Sequence, residues 1–238
     1  HELRTPLNVI LGFAQVMDQD LNLSPEYQEY VNIIRQNGDH LLNLINEILD
    51  LAKIEAGKLM LEKQQIDLRE LLTSLHNTFQ RRAREHGLQL FLEVGAEVPQ
   101  FVLADAQKLR QVLINLLGNA IKFTQEGEIT WRVNVKATAN APVSTDSGNP
   151  IGDHQETDDR PVQLSISDAQ RLMFEIVDTG VGIAAQDLPV IFNAFTQVSA
   201  EFQTQQGTGL GLTISYHLVQ LMGGDLTVSS TLGQGSTF

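Results

Sequence analysis

At 238 residues, with 42% hydrophobic and 19% charged side chains, the chain can form one large globular domain or two modest ones, and two are expected. A formal net charge of −13 argues against nucleic acid or an anionic membrane surface as a partner, because a uniformly acidic protein is repelled by both. The absence of cysteine removes disulfides and thiolate metal sites, and no apolar run reaches membrane-spanning length. The chain opens on His1 rather than methionine and stops abruptly at Phe238, so it reads as a fragment expected in the cytoplasm. A membrane anchor of the full-length protein, if it has one, is expected outside these residues.

Leu7, Ile10, Leu11, Ala14, Met17 and Leu21 recur at helical spacing after Pro6, which is expected to kink or loosen the helix it enters. Ser24-Pro25-Glu26 then reads as a helix start: a hydroxyl to cap free amides, a proline in the first turn and an acid at the positive end. In the second helix Tyr27, Val31, Ile34, Gly38, Leu41, Ile45, Ile48 and Ala52 alternate fours and threes, which is a heptad seam that Leu42 and Leu49 widen. Two such helices bury one face against each other and leave further apolar surface. A homodimer through residues 1–57, closing a four-helix bundle, is expected. The alternative is a hairpin packed on the second domain of its own chain.

Gly57 ends that helix, and Lys58–Leu61 reads as a short strand opening a second domain over residues 58–238. There the expected elements are a helix over Asp67–Glu85, a strand over Leu88–Val94, a helix over Ala104–Thr124 and a strand over Ile129–Lys136. Residues 137–168 lose periodicity and collect Pro, Gly and Asp. Most of this is expected to be a mobile acidic insertion, with an edge hairpin near Val162–Ile166. A strand over Leu172–Val177, a helix over Gly209–Met222 and strands over Asp225–Ser229 and Ser236–Phe238 follow. The order is α+β, without the regular strand-helix alternation of a doubly wound nucleotide fold.

Three stretches carry chemistry. In Leu109–Thr124, at about 100° per residue, Leu109, Leu113, Leu116, Leu117 and Ala120 form an apolar face, while Asn115, Asn119 and Lys122 share the opposite side. Amide oxygens suit Mg²⁺ and an ammonium suits anionic oxygen, although an ordinary amphipathic helix with solvated polar residues has the same pattern. After the strand ending at Val177 come Asp178, Thr179, Gly180, Val181 and Gly182: a carboxylate able to accept from an exocyclic amine such as that of adenine, then glycines that admit close backbone approach. Gly207, Thr208, Gly209, Leu210 and Gly211 run straight into a helix and point free amides at an anion. Alone this is a flexible turn, lacking the dinucleotide fingerprint and the Walker lysine; the three signals in one order are much stronger.

Asn115–Thr124, Asp178–Ile183 (DTGVGI), the Phe192 and Phe195 pair, and GTGLGL from Gly207 resemble the N, G1, F and G2 boxes of sensor histidine kinases, and HELRTPLN from His1 resembles their phosphoacceptor box. The resemblance covers nearly the whole chain apart from the acidic insertion. It implies an α+β fold: a helical hairpin forming a dimeric four-helix bundle, then an α/β sandwich of the histidine kinase ATPase type. It implies an ATP-dependent protein histidine kinase in which His1 accepts the γ-phosphoryl group, Glu2 takes the other proton or orients the ring, and the group passes to an aspartate of a response-regulator receiver domain. Thr5 matches the position that places water for dephosphorylating that partner. Asn119 would coordinate Mg²⁺ with Asn115 assisting, Lys122 would touch phosphate, and Asp178 would read adenine with help from Gly182 and Thr237. Phe192 and Phe195 would anchor a mobile lid over residues 196–208.

The lid departs from the family pattern. Where an Arg or Lys is common, this chain has Gln203-Thr204-Gln205-Gln206; Ala194 replaces a common proline, and no Lys or Arg follows Arg171. The metal, Lys122 and the amides near Gly209 would then balance nearly all the transferring charge, which implies strong Mg²⁺ dependence and modest ATP affinity. One rival is an ATP hydrolase of the related gyrase and heat-shock chaperone type. Those carry a glutamate at the position of Asn115, because water needs a general base. A second rival is a dimeric signalling scaffold that binds nucleotide without transferring phosphate.

Overall fold

The computed structural model describes residues 4–18, 23–137, 170–197 and 208–238. The N-terminal part is a helical hairpin of α1 (Arg4–Asp18) and α2 (Pro25–Glu55). The two helices close on Leu7, Ala14 and Val31, each at most 7% exposed, and Gly38 is buried against Leu11. α1 is described from Arg4, and the turn that Pro6 is expected to kink or loosen reaches back beyond the described residues. Pro25 is the first residue of α2, but the Ser24 hydroxyl makes no capping bond. The Ser24 carbonyl instead accepts from the Gln28 amide at 3.0 Å, so the fixed proline φ and the backbone set this start.

The heptad positions divide between two surfaces. Val31 and Gly38 face α1, whereas Tyr27, Ile34, Leu41 and Ile48 stay exposed, as do Val9, Ile10, Phe13, Val16 and Met17 of α1. At its end α2 closes on Gly57: the Lys58 amide reaches the Lys53 carbonyl and the Gly57 amide reaches that of Ile54, each at 2.9 Å.

Residues 58–61 form no strand. The first strand is β1 (Gln64–Asp67), paired antiparallel with β3 (Phe101–Ala104), a strand absent from the sequence expectation. Only Ile66 of β1 is a buried apolar residue, so pairing rather than hydrophobic pattern defines this ribbon. β1 leads into α3 (Leu68–Glu85), and β3 leads into α4 (Ala106–Phe123). Asp67 and Asp105, expected within those helices, are their N-caps, accepting from the amides of Glu70 at 2.9 Å and Lys108 at 3.0 Å. The Asp105 carboxylate also takes the Glu62 amide at 3.0 Å, tying the hairpin linker to the start of α4. Burial raises its pKa, but these amide bonds outweigh burial and hold it below the ordinary range.

The main sheet runs β2–β4–β5–β7–β6, with β2 (Gln89–Val94) parallel to β4 (Glu128–Ala137) and the other pairs antiparallel. A parallel neighbour requires a crossover, and α4 provides it. Alternation defines the inner face: Leu90 lies beside Ile129, and Ile176 of β5 (Gln170–Asp178) lies beside Trp131, all four at most 5% exposed. On the outer face Arg132 meets Glu93 across the strands at 2.8 Å. Against the inner face pack Leu72 and Leu75 of α3, Leu113 and Leu117 of α4, and Ile214 and Leu218 of α5 (Gly211–Leu221). The last hairpin is shorter than expected. β6 covers only Ser229–Thr231, which pair one to one with the three residues of β7 (Gly235–Thr237); residues 225–228 are in no strand, and Leu226 turns into the core instead. The acidic insertion and its edge hairpin lie outside the described residues, except that Ala137 ends β4.

Candidate active site

Period-two alternation puts Asp178 on the inner face at the last position of β5, in register with Ile129. It is 6% exposed, and its Oδ1 accepts the Gly180 amide at 2.9 Å. Burial raises its pKa, partly offset by hydrogen bonds from the backbone of Gly180 and Ser236. The chain turns sharply after it. A side chain at Gly180 would collide with the Phe123 carbonyl, and Gly182, with φ +68°, has the Thr231 carbonyl where a Cβ would stand. The Val181 amide donates to the same Phe123 carbonyl at 3.1 Å, which joins this turn to the end of α4.

Along α4, Asn115, Asn119 and Lys122 lie at spacings of four and three and share one side of the helix, its other side being buried. Lys122 is exposed, with Nζ 4.9 Å from the centroid of the Phe123 ring. Partial withdrawal from water lowers its pKa. Through Phe123 it adjoins the Asp178 turn. Asn115, by contrast, is engaged with α5: its Nδ2 donates to Ser215 Oγ at 2.8 Å. α4 thus links the two glycine-bearing segments.

The third segment is braced at both ends. Phe192 packs on Tyr216 of α5, ring centroids 5.2 Å apart. Phe195 is 65% exposed and holds φ +62°, unusual for an aromatic residue; its amide donates to the Gly209 carbonyl at 3.0 Å, joining the chain before the lid to the chain after it. Thr208 Oγ1 accepts the Leu210 amide at 3.1 Å and donates to Glu47 Oε2 of α2 at 2.6 Å. One turn further along α2, Asp50 accepts from Gln111 of α4 at 3.2 Å. Leu210 is fully buried and Gly211 opens α5. In the first turn of α5 the Thr213 hydroxyl is buried without a partner among the described residues.

The structure therefore joins α4, which carries Asn115, Asn119 and Lys122, to the Asp178–Gly182 turn at its C-terminal end through Phe123 and to Gly211 and Ser215 of α5 at mid-length through Asn115. His1, Glu2, Gly207 and lid residues 198–207 lie outside the described residues, and Thr5 stands exposed on α1. Register sets Thr237 opposite Val177 and Ser236 opposite Asp178, so it is Ser236, 7% exposed, that shares the face of the carboxylate. Ser236, Ser215 and Glu47 escape sequence reasoning. Counting back from the hairpin could have found Ser236, but nothing local points to the other two.

Among the described residues no three His, Cys, Asp or Glu side chains cluster to hold a metal. The donor set suits a Mg²⁺ that arrives with a nucleotide, since that ion commonly takes one or two protein oxygens and completes its shell with phosphate and water. The amide oxygen of Asn119 can be such a ligand.

Residues 104–238 match the family model described as "Histidine kinase-, DNA gyrase B-, and HSP90-like ATPase", and residues 1–57 match "His Kinase A (phospho-acceptor) domain". Among curated proteins the chain is 38% identical over 258 residues to Histidine kinase 3 of Arabidopsis thaliana, covering 100% of this chain and 25% of that protein. It is 40% identical over 239 residues to the sensor histidine kinase GacS of Pseudomonas protegens, covering 100% of this chain and 23% of that one. The chain thus spans about a quarter of the length of these relatives. Among solved structures, full-length ShkA in complex with AMPPNP superposes with TM-score 0.73 at 34% identity, covering 100% of this chain and 43% of that one. The histidine kinase ThkA, solved in complex with the response regulator protein TrrA, shares the fold at TM-score 0.58 and 22% identity, covering 100% of this chain and 57% of that one. With a phosphoacceptor helix pair and an ATPase-type sandwich in this order, the chain belongs to the sensor histidine kinases of two-component systems.

Proposed function

We propose that residues 1–57 form a dimerisation and phosphoacceptor domain and residues 58–238 a Mg-ATP-binding catalytic domain, which together make a protein histidine kinase. The observation that carries this reading is the chemistry of α4. The helix bears Asn115, Asn119 and Lys122 on its site edge and contains no Asp or Glu at all. The acid just before it, Asp105, is occupied as an N-cap. A hydrolase needs a base to take a proton from water, and an amide cannot serve. A site of this composition holds nucleotide for an imported nucleophile.

In the proposed reaction an imidazole nitrogen of His1 attacks the γ-phosphorus. The N–P bond forms as the bond to the bridging oxygen breaks; ADP carries away that electron pair, and Glu2 takes or orients the remaining ring proton. Asp178 accepts from the adenine amine, Lys122 meets phosphate oxygens, and the first amides of α5 face the polyphosphate. Bound Mg²⁺, with Asn119 among its ligands, would neutralise phosphate charge. The phosphoryl group then passes to an aspartate of a receiver domain, and Thr5 positions water for the reverse, dephosphorylating role.

Incubation with γ-labelled ATP tests this on the chain with its upstream residues attached. Acid-labile, base-stable label lost in His1→Gln is the expected result; label-free enzyme that releases phosphate would establish the hydrolase instead. A second reading, a nucleotide-binding scaffold without phosphotransfer, is favoured by the lack of any Lys or Arg after Arg171, and the same assay separates it by showing ATP binding without label. The exposed apolar residues of α1 and α2 support the homodimer. Light scattering at micromolar concentration is expected to give twice the chain mass, and a monomer would overturn that part.

A further inference from the structure

Asn115 lies midway along α4 at the contact with α5, and its carboxamide is committed to that helix at both ends. Its Nδ2 donates to Ser215 Oγ at 2.8 Å, and Ser215 is only 1% exposed. Its Oδ1 lies against Gly211, the first residue of α5; a Cβ there would overlap the Asn115 side chain, which supplies all three of the nearest atoms. One planar group thus packs against the first residue of α5 and bonds to that helix one turn later, while Leu113, Leu117, Ile214 and Leu218 seal the surrounding contact.

We propose that Asn115 is a positioning residue, not a metal ligand: acting through Ser215 and Gly211, it sets the depth and rotation of the α5 N-terminus relative to α4. Resting on the function proposed above, this deepens it. The phosphate-facing amides belong to α5 and the Mg²⁺ ligand Asn119 belongs to α4, so the two must be held in register for one polyphosphate to meet both. A hydrogen bond from the half-buried Asn115 to the buried Ser215, both short side chains, does this with little conformational freedom. The absence of a side chain at Gly211 is then a requirement of the bracket.

The test uses the whole chain with Asn115→Ala, Ser215→Ala, Gly211→Ala and the pairs N115A/S215A and G211A/N115A. Binding of a non-hydrolysable ATP analogue is measured across a Mg²⁺ titration. N115A and S215A are each expected to weaken binding about fivefold, the scale of one net hydrogen bond, with the pair no weaker than N115A alone. The Mg²⁺ concentration giving half-maximal binding is expected to stay unchanged. G211A is expected to weaken binding further, and N115A to restore part of that loss, because it removes the atoms the new methyl meets. A several-fold rise in the Mg²⁺ requirement of N115A but not S215A would overturn the proposal, as would additive losses in either pair. Thermal unfolding of the same variants without nucleotide gives a second reading of both couplings. A wild-type chain that binds no analogue would refute the proposed function, while the bracket would still stand or fall on the unfolding cycle.

Discussion

Replacing Asp178 by Asn is expected to move nucleotide binding and stability in different directions. The wild-type carboxylate is 6% exposed; burial raises its pKa above the ordinary 3.8, and the amides of Gly180 and Ser236 offset part of that rise. Ionising it therefore costs more in the folded chain than in the unfolded one. The stability associated with this group is fully present below the unfolded pKa and is lost as pH rises through the raised folded value. Asn is neutral at every pH, has nearly the same volume and keeps an oxygen for the Gly180 amide that now lies 2.9 Å from Oδ1. Melting temperature at neutral pH is expected to hold or rise. Adenine recognition loses a hydrogen bond to a charged acceptor, of about 1.5–3 kcal/mol, or roughly 10- to 150-fold in Kd. Calorimetric titration of a Mg²⁺-bound ATP analogue, with scanning calorimetry of the same samples, measures both. Wild-type affinity is also expected to fall as pH drops through the raised pKa of Asp178, while D178N stays flat over that window. Binding within twofold of wild type would refute the role, and binding and melting temperature falling together would reduce Asp178 to a structural residue.

Lys122→Ala is expected to lower the autophosphorylation rate about tenfold or more, by the loss of a charged contact to phosphate in a chain without Lys or Arg after Arg171; an unchanged rate would contradict the charge argument. Glu47→Ala removes the acceptor 2.6 Å from Thr208 Oγ1, and amide exchange over residues 208–211 is expected to accelerate about tenfold by mass spectrometry, with unchanged protection showing that α2 does not hold this loop. Leu117→Ala, at a fully buried position of α4, is expected to destabilise the sandwich by about 2–5 kcal/mol. Trp131, the only tryptophan and itself fully buried, reports that unfolding as a red shift in emission; a midpoint equal to wild type would place Leu117 outside the core.

Much of the architecture is local in origin, and so is legible in the chain. Leu68, Leu71, Leu72, Leu75 and Phe79 at threes and fours commit α3 to one buried face, and the same spacing in α4 leaves Asn115, Asn119 and Lys122 on its polar edge. Alternation in β4 sets Ile129, Trp131 and Val133 inward. The strand-end Asp178 and the glycines after it announce a close backbone approach before any coordinates do.

Residues at great sequence separation obey no such local rule. β1 and β3 exist because Gln64 lies beside Ala104, a pairing that polar Gln64 and Gln65 do not advertise. Whether Ser236 or Thr237 shares the face of Asp178 turns on a one-residue register in a short hairpin, and a slip of one reverses it. Thr208 meets Glu47 across 161 positions, and Asn115 meets Ser215 across 100. Sequence alone determined which side chains are candidates for a nucleotide site and the helices and strands that bear most of them. Only tertiary packing decided that Asn115 meets Ser215 and Gly211 of α5, because a helix repeats its own face every turn while what lies opposite changes from one turn to the next.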